Sequence, residues 1–321
     1  MKTVFCLVAV TGLGLAASRA TEPALEFSPI RKLTNSEMVL RLSVSTGSYC
    51  RIEVTTNLAQ WNGFVTLLST GANQHIDSAA PFLWSRFYRA RALAGTNLVT
   101  GDHLATTSGE VAIHPITHAS LALSWSNVMI YVDPAANPFP GVPRADLILF
   151  THDHSDHFNA NAIASLTNTN TTIIAPQAVY SKLPANLQTL TAILSNGMSA
   201  SRLGLTIDAI PAYNLTAPIN HPKGVGNGYV LTLGGRRVYL SGDTEDIPEM
   251  RALTNIDLSF LAMNRPYTMT VSQAVSAVRA FRPTVVYPYH YQPSTPPTDL
   301  NSFKQQVLAA PGIEVRLRSW Y

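Results

Sequence analysis

The sequence predicts an α/β domain preceded by a small all-β sandwich domain, and three features of the chain support this fold class. Residues 26–93 alternate between apolar and polar side chains with a period of two, which is typical of antiparallel strands. From about residue 103 onwards, short β-rich runs alternate with segments of helical spacing, which is typical of an α/β domain. With 46% hydrophobic and 13% charged residues among 321, the chain can bury a large core, which excludes intrinsic disorder and favours two domains over one.

The first 20 residues have the features of a secretory signal peptide. Lys2 supplies a positive charge, residues 4–17 form an uncharged apolar run, and Ser18 and Ala20 place small side chains before the predicted cleavage site. A single transmembrane anchor is the alternative, but the apolar run is shorter than the roughly 20 residues that a spanning helix needs. We therefore predict a protein exported to the periplasm or the extracellular space, with no stable membrane insertion after cleavage.

The charge of the remaining chain bears on its partners, and its cysteine content bears on disulfide formation. The full chain has a formal net charge of +3, and the loss of Lys2 and Arg19 with the signal peptide leaves +1. This near-neutral charge argues against a nucleic acid as partner, because no basic field remains to attract one. Cys50 is the only cysteine outside the signal peptide, so no internal disulfide is expected.

Residues 21–100 are predicted to form the small β-sandwich. Period-two alternation is clear in residues 49–54 and 86–93, and these runs, with Trp61 between them, resemble fibronectin type III-like modules appended to secreted bacterial proteins. His75, the only histidine of this segment, is expected at the surface. Nothing in the segment indicates a catalytic role or identifies a binding partner.

Residues 101–321 are predicted to form the α/β domain, which a linker at about 94–101 joins to the sandwich. Thr270 as N-cap, Gln273 as its capping-box partner and Pro283 as the stop predict a helix between them. The β-rich runs of this domain are the predicted strands at 121–125, 128–132, 147–150, 173–175, 204–210, 228–233, 237–240 and 285–287.

The candidate chemistry is concentrated in residues 151–158, with the sequence Thr-His-Asp-His-Ser-Asp-His-Phe. This segment follows directly on the predicted buried strand 147–150, so three histidines and two aspartates leave one strand end together. Imidazole nitrogens and carboxylate oxygens are ligands that suit zinc. A solvated polar loop is the alternative, and we disfavour it because several potential ligands cluster after a hydrophobic strand. The pattern therefore predicts a metal site.

The same segment is similar to the signature His-x-His-x-Asp-His of the metallo-β-lactamase fold hydrolases. Three further motifs of that family occur in order, namely Asp133-Pro134, Ser241-Gly242-Asp243-Thr244 and Tyr289-His290-Tyr291. Shorter motifs at 118–120, 211–214, 221–223, 242–244, 267–270 and 288–291 resemble the subgroup that includes ascorbate-6-phosphate lactonase and many metal-dependent hydrolases. The resemblance covers roughly residues 114–291 and implies an αββα sandwich with a dinuclear site at one edge, between two sheets.

The resemblance also implies a set of metal ligands for two divalent ions, with zinc favoured and manganese or iron as alternatives. The implied ligands are His152 and His154 for the first ion, Asp156, His157 and His290 for the second, and Asp243 as a bridge between them. Relatives carry a third histidine for the first ion where this chain has Asn214. We expect His221 to reach in instead, and a first site filled partly by Asn214 or water is the alternative.

Further roles follow from these ligands as implications of the resemblance. A hydroxide held between two ions would attack an electrophilic carbon or phosphorus. Asp156 would orient this hydroxide and pass a proton to the leaving group. Asp133 would orient a metal-bound histidine from outside. Two roles are open for His118: it contacts the substrate or the metal ligands, or its role is purely structural. Lys223 and Tyr267 are candidate contacts for an anion or a carbonyl, and a solvated surface position is the alternative for Lys223.

These features predict an exported metal-dependent hydrolase with a small-molecule substrate. Opening of a lactone or cleavage of a related ester is favoured by the subgroup motifs, and a phospholipase D-like phosphodiesterase is the nearest alternative. β-Lactam hydrolysis is disfavoured by the motifs outside the shared ligands, and nuclease activity by the near-neutral charge. A binding or adhesion protein with a degenerate hydrolase domain is the alternative from another class. Six intact ligand positions argue against such a loss of activity.

Overall fold

A computed structural model describes residues 9–10, 25–95, 98–135, 143–292 and 296–320, and within them the chain forms two compact units. The first unit extends to Ala105 and takes in Glu110–His114, and the second comprises Thr106–Gly109 and the chain from Pro115 onwards. Apart from residues 9–10, the predicted signal peptide lies outside the described residues. None of the helices in the described part of the chain is long and apolar enough to cross a membrane.

Among the described residues of the first unit, the regular secondary structure is almost entirely β-strand. Its strands are β1 (Ala9–Val10), β2 (Glu26–Phe27), β3 (Arg31–Lys32), β4 (Met38–Ser43), β5 (Tyr49–Thr55), β6 (Asn62–Leu68), β7 (Ala72–Asp77), β8 (Phe87–Leu93) and β9 (Gly101–Thr106), with one 3₁₀ turn at Ala80–Phe82. One sheet has the order β2-β4-β3 with β7 also paired to β4, and the other contains β1-β8-β5-β6-β9. Strand β10 (Gly109–Thr117) contributes residues to both units.

The two sheets of the first unit share one hydrophobic core. Leu40 and Leu42 of β4 pack with Ile52 and Cys50 of β5, as their alternating burial along each strand requires. The expectation of a surface position for His75 is wrong, since its side chain is only 8% exposed. Its ring packs edge-on against Phe64, and its Nε2 lies 3.5 Å from a carboxylate oxygen of Asp102.

In its described residues, the second unit contains two sheets and six helices. One sheet includes β11 (Ser120–Trp125), β12 (Val128–Val132), β13 (Leu147–Leu149), β14 (Thr172–Ala175) and β15 (Thr191–Ile193) in that order. The other has the order β16 (Ser199–Arg202), β17 (Leu205–Ala212), β18 (Gly226–Leu233), β19 (Arg236–Leu240), β20 (Leu258–Met263), β21 (Val285–Tyr291) and β22 (Glu314–Val315). The helices are α1 (Ala160–Leu166), α2 (Gln177–Lys182), α3 (Ala185–Gln188), α4 (Pro248–Arg251), α5 (Val271–Phe281) and α6 (Leu300–Leu308).

The sequence of helix α5 determines where the helix begins and which of its faces packs into the core. The Thr270 side chain accepts a hydrogen bond from the Gln273 backbone N–H, and the Gln273 side chain accepts one from the Thr270 backbone N–H. This capping box confirms the predicted helix start. The apolar face of α5, including Val278 and Phe281, packs with Tyr239 in the core beside the second sheet. The strands and helices described above confirm the predicted α/β class and the all-β region before it.

Candidate metal centre

The candidate site forms where parallel strands of both sheets end. Strands β12 to β15 run parallel, as do β19 to β21, so the carboxyl ends within each group lie at one edge. In the first sheet, Asp133 follows β12, and the segment 151–158 begins two residues after β13. In the second sheet, Asp243 follows β19, and His290 is the penultimate residue of β21. Residues far apart in sequence are thus delivered to one place.

His152, His154 and His221 form the first group of potential ligands, with one ligand atom from each lying within 4.8 Å of the others. The Nε2 atoms of His152 and His221 are buried and have no hydrogen-bond partner within the part of the chain that the structure describes. On the other side of the His221 ring, Nδ1 lies 3.2 Å from both the Asn214 side-chain oxygen and the Tyr267 carbonyl oxygen. Because both of these partners are acceptors, Nδ1 carries the proton and Nε2 presents its lone pair to the group.

Asn214 holds His221 in this position. Its side-chain oxygen accepts hydrogen bonds from the backbone N–H groups of Asn220 and His221, at 2.9 and 2.8 Å. Its side-chain nitrogen donates to the Tyr267 carbonyl oxygen at 2.8 Å. The Asn214 amide is therefore engaged in shaping the loop, and the structure brings His221 rather than Asn214 into the histidine group.

His118, Asp156, His157 and His290 form the second group. The Nε2 atoms of His118 and His290 lie 3.0 and 3.4 Å from Oδ2 of Asp156. The His157 ring is fully buried, and its Nδ1 donates to Oδ2 of Asp133 at 2.8 Å, which leaves its Nε2 facing the group. The structure thus adds His118 to the three residues expected here.

Asp243 lies between the two groups. Its two carboxylate oxygens are 3.3 to 3.4 Å from the Nε2 atoms of His157, His221 and His290. Together with His152 and His157 it also forms a third set of ligand atoms within 4.8 Å. Asp243 is only 4% exposed, and its Oδ1 has no hydrogen-bond partner among the described residues.

Three of these residues occupy the left-handed region of backbone conformation. The φ angles of His118, Asp133 and His290 are 54°, 44° and 44°, values that residues other than glycine rarely adopt. Gly242, immediately before Asp243, has a φ of 59°, and a Cβ there would lie 2.7 Å from the Asn227 carbonyl oxygen. The fold therefore accepts local backbone strain at the residues that build the centre.

The electrostatic state of the centre suits a cation. Burial, reinforced by neighbouring imidazolium charge, holds the pKa of His152 well below its ordinary value, and burial also lowers the pKa of His221. Burial disfavours the ionised form of Asp243, but the charges of His290 and His157 outweigh it and keep the pKa of this carboxyl well below its usual range. At His157 and His290 burial disfavours the charged ring, but the Asp243 carboxylate outweighs it and raises the pKa of both imidazoles. The centre thus combines neutral imidazoles at His152 and His221 with an ionised carboxylate at Asp243, and a cation that bound to His157 and His290 would displace their protons.

A cavity of about 660 Å³ opens above the centre, and Asp156, Asp243, His290 and Tyr267 are among its lining residues. Asp156, whose side chain is 48% exposed, is the most accessible carboxylate of the centre. Lys223 is not among the lining residues. Its Nζ lies 2.9 Å from a Glu249 carboxylate oxygen, where it forms an ion pair outside the cavity.

The fold and the histidine and aspartate centre together define the class of metallo-β-lactamase fold hydrolases. A family model described as a beta-lactamase superfamily domain matches residues 124–291, slightly more than half of the chain. The chain belongs to this superfamily, and within it to the UPF0173 metal-dependent hydrolases. It is thus a metal-dependent hydrolase of the metallo-β-lactamase superfamily.

Individual relatives support this assignment. The chain is 33% identical over 181 residues to a UPF0173 metal-dependent hydrolase of Thermococcus onnurineus, covering 54% of this chain and 80% of the relative. It is 30% identical over 227 residues to one of Thermococcus kodakarensis, covering 64% of this chain and the whole relative. A crystal structure of a Parabacteroides distasonis protein is 42% identical with a TM-score of 0.62, covering 69% and 99% of the two chains. A metallo hydrolase of Ignicoccus hospitalis is 26% identical with a TM-score of 0.54, covering 65% and 95%.

Proposed function

We propose that the chain is a dinuclear hydrolase that opens a lactone or cleaves a related ester. The observation that carries the proposal is the convergence of buried ligand atoms that have no hydrogen-bond partner among the described residues, namely Nε2 of His152, Nε2 of His221 and Oδ1 of Asp243. Buried polar atoms normally have a partner, so this set fits a cation. The residues proposed to hold two ions are His152, His154 and His221 for the first, Asp156, His157 and His290 for the second, and Asp243 for both.

The chain's own residues would orient the reactants and move the proton. When bound, divalent ions supply a nucleophile by lowering the pKa of water towards about 7, and they polarise the carbonyl that is attacked. Asp156 faces the cavity with His118 Nε2 at 3.0 Å from its Oδ2. In hydrolysis a water oxygen adds to the carbonyl carbon, the ester C–O bond breaks, and the leaving oxygen takes a proton. The Asp156 and His118 pair lies where it can carry that proton.

The charges around the cavity favour an uncharged ester over a phosphodiester. Among the described residues that line it, Lys182 is the only lysine or arginine. Its Nζ lies 2.6 Å from Oδ2 of Asp153 and also donates to the Asp153 carbonyl oxygen at 3.2 Å. A lysine engaged in this way offers little to a phosphate, whereas phosphate recognition typically uses arginine or lysine donors. Faster turnover of bis(p-nitrophenyl) phosphate than of γ-butyrolactone would instead support the phosphodiesterase alternative.

Metal analysis of residues 21–321 tests the ligand assignment. We expect about two divalent ions per chain in the wild type and one in a His221→Ala variant, because His221 supplies one of the three imidazoles of the first group. A His103→Gln variant is the matched control, since His103 lies in the first unit and pairs with Glu110. One ion in all three proteins would show that the first site is incomplete, and the dinuclear proposal would then be wrong.

We further propose that the protein is exported and that residues 1–20 are removed. The support is the arrangement of Lys2, the apolar run and the small residues before position 21. Expression of the full chain in a Gram-negative host should give a periplasmic protein whose first residue is Thr21. A cytoplasmic product that retains Met1 would contradict the proposal.

A further inference from the structure

Asn264 is a buried polar residue at the metal centre that the roles described above do not use. It directly follows the last residue of β20, and β20 pairs in parallel with β21, which carries His290. The side chain is 8% exposed and lines the cavity together with Asp243 and His290. The strand pairing therefore places its carboxamide beside the proposed ligands, within the space that a substrate would enter.

The backbone of Asn264 is firmly fixed. Its N–H donates to the Thr268 hydroxyl at 2.6 Å, and its carbonyl oxygen accepts from the N–H groups of Tyr267 and Thr268 at 2.9 and 2.8 Å. These bonds close a tight turn between β20 and α5. The position of the side chain is thus set by the fold and does not depend on contacts of the carboxamide.

The carboxamide itself has no hydrogen bond within the described part of the protein. Its Oδ1 is buried with no hydrogen-bond partner among the described residues, although the backbone N–H and carbonyl oxygen of Asn264 are both hydrogen-bonded. A buried polar atom that lacks a partner destabilises a fold, and an apolar side chain of the same size would avoid this cost. An unpaired amide that lines a cavity is therefore best explained by a partner that arrives from the cavity.

We propose that Asn264 is a substrate-positioning residue whose Oδ1 accepts a hydrogen bond from a hydroxyl or amino group next to the scissile carbonyl. The proposal rests on the proposed ester or lactone hydrolysis at the same centre. It narrows the substrate to one with a hydrogen-bond donor close to the reacting carbon. A site built to pair with such a donor discriminates strongly against an analogue without it, because Oδ1 would then remain buried and unpaired.

The test compares γ-butyrolactone with its 2-hydroxy and 3-hydroxy derivatives on the metal-loaded mature protein. We expect the wild type to have a kcat/KM at least about ten-fold higher for one hydroxylated lactone than for the plain one. Asn264→Leu removes the polar atoms at similar volume and should reduce this preference to within about two-fold. Asn301→Leu, at an exposed position of α6, is the matched control and should keep the wild-type preference.

Stability and metal content separate this role from a structural one. Asn264→Leu should bind as much metal as the wild type and should melt at the same or a higher temperature, because it removes a buried atom without a partner. A lower melting temperature with an unchanged preference for the hydroxylated lactone would show that the amide is structural, and the proposal would be wrong.

Binding of the open-chain products tests Asn264 even if no lactone is turned over. Calorimetry with 2,4-dihydroxybutyrate, 3,4-dihydroxybutyrate and 4-hydroxybutyrate should show tighter binding of one dihydroxy acid by the wild type and not by Asn264→Leu. No turnover with this binding difference intact would contradict the proposed reaction and retain the role of Asn264. Equal binding of all three acids by the wild type would overturn that role, as would a crystal structure of the liganded protein in which Oδ1 contacts only an ordered water.

Discussion

Replacing Asp243 by alanine is expected to reduce hydrolysis by more than about 100-fold and to lower the metal content by at least one ion per chain. Loss of residues that merely support metal ligands already costs about 10- to 100-fold. Asp243 is placed more centrally, because its carboxylate lies 3.3 to 3.4 Å from the Nε2 atoms of His157, His221 and His290. Metal analysis and initial rates on γ-butyrolactone measure the two effects.

Asp246→Ala is the control for this prediction. Asp246 lies three residues further along and pairs with Arg251 at 2.8 Å, away from the histidines. We expect this variant to retain both ions, because its carboxylate is not among the groups that could hold a metal. Unchanged metal content in Asp243→Ala would show that the two histidine groups bind independently, and the bridging role of Asp243 would have to be abandoned.

The parts of this site that the sequence reveals are those encoded locally. The three histidines of the segment 151–158 follow a short, fully apolar strand, so their shared origin at one strand end can be predicted from adjacent residues. The same holds for the capping box between Thr270 and Gln273. Both features depend on spacings of a few residues, for which backbone geometry alone fixes the relation.

The parts that could not be predicted depend on long-range packing. Strand β20 was not predicted, although its sequence Leu-Ser-Phe-Leu-Ala-Met is fully buried, because it lacks the β-branched residues and alternation that mark a strand. Asn264 at its end was therefore missed. A short apolar run followed by a turn was the available indication. His75 was misplaced for a related reason, since its partner Asp102 lies 27 positions away.

His221 shows the same limit within the site. The sequence identifies it as the only histidine between His157 and His290, but its reach into the centre depends on the loop that carries it. His221 donates hydrogen bonds to the side-chain oxygen of Asn214, seven residues earlier, and to the Tyr267 carbonyl oxygen, 46 residues later, and these bonds set that loop. The chain thus has Asn214 at the position where the family resemblance implies a histidine, and this asparagine holds the loop that supplies His221.

Asp133→Asn is expected to weaken metal binding at the second group by about 10- to 100-fold, because it changes which ring nitrogen of His157 carries the proton. The Asp133 carboxylate is fully buried, and it accepts hydrogen bonds from His157 Nδ1 at 2.8 Å and from the Thr151 N–H and hydroxyl at 2.8 and 2.7 Å. It therefore acts only as an acceptor and fixes the His157 proton on Nδ1. Asparagine is the informative replacement, because it tolerates the φ of 44° at this position better than alanine does.

The Asp133 carboxylate accepts with two oxygens, one for the Thr151 N–H and the other for the Thr151 hydroxyl and His157 Nδ1. An asparagine side chain has only one oxygen that can accept, and its other terminal group is an NH₂ donor. If that oxygen keeps the Thr151 N–H, the NH₂ group faces His157 and favours the tautomer with its proton on Nε2, where the ligand lone pair is needed. If the amide turns round, its NH₂ group opposes the Thr151 N–H inside the core, and stability falls instead. Chelator competition measures the metal affinity, and thermal melting of the metal-free protein separates the two arrangements.

Asp146→Asn provides the comparison that makes this result decisive. Asp146 accepts a hydrogen bond from the Met129 N–H at 2.8 Å within the same sheet and, among the described residues, forms no hydrogen bond or ion pair with a histidine. It therefore loses a charge and keeps an acceptor, as Asp133→Asn does, without touching a metal ligand. We expect its metal affinity to equal that of the wild type. An equal loss of affinity in both variants would mean that sheet distortion is the cause, whereas a loss confined to Asp133→Asn would assign the effect to the proton on His157.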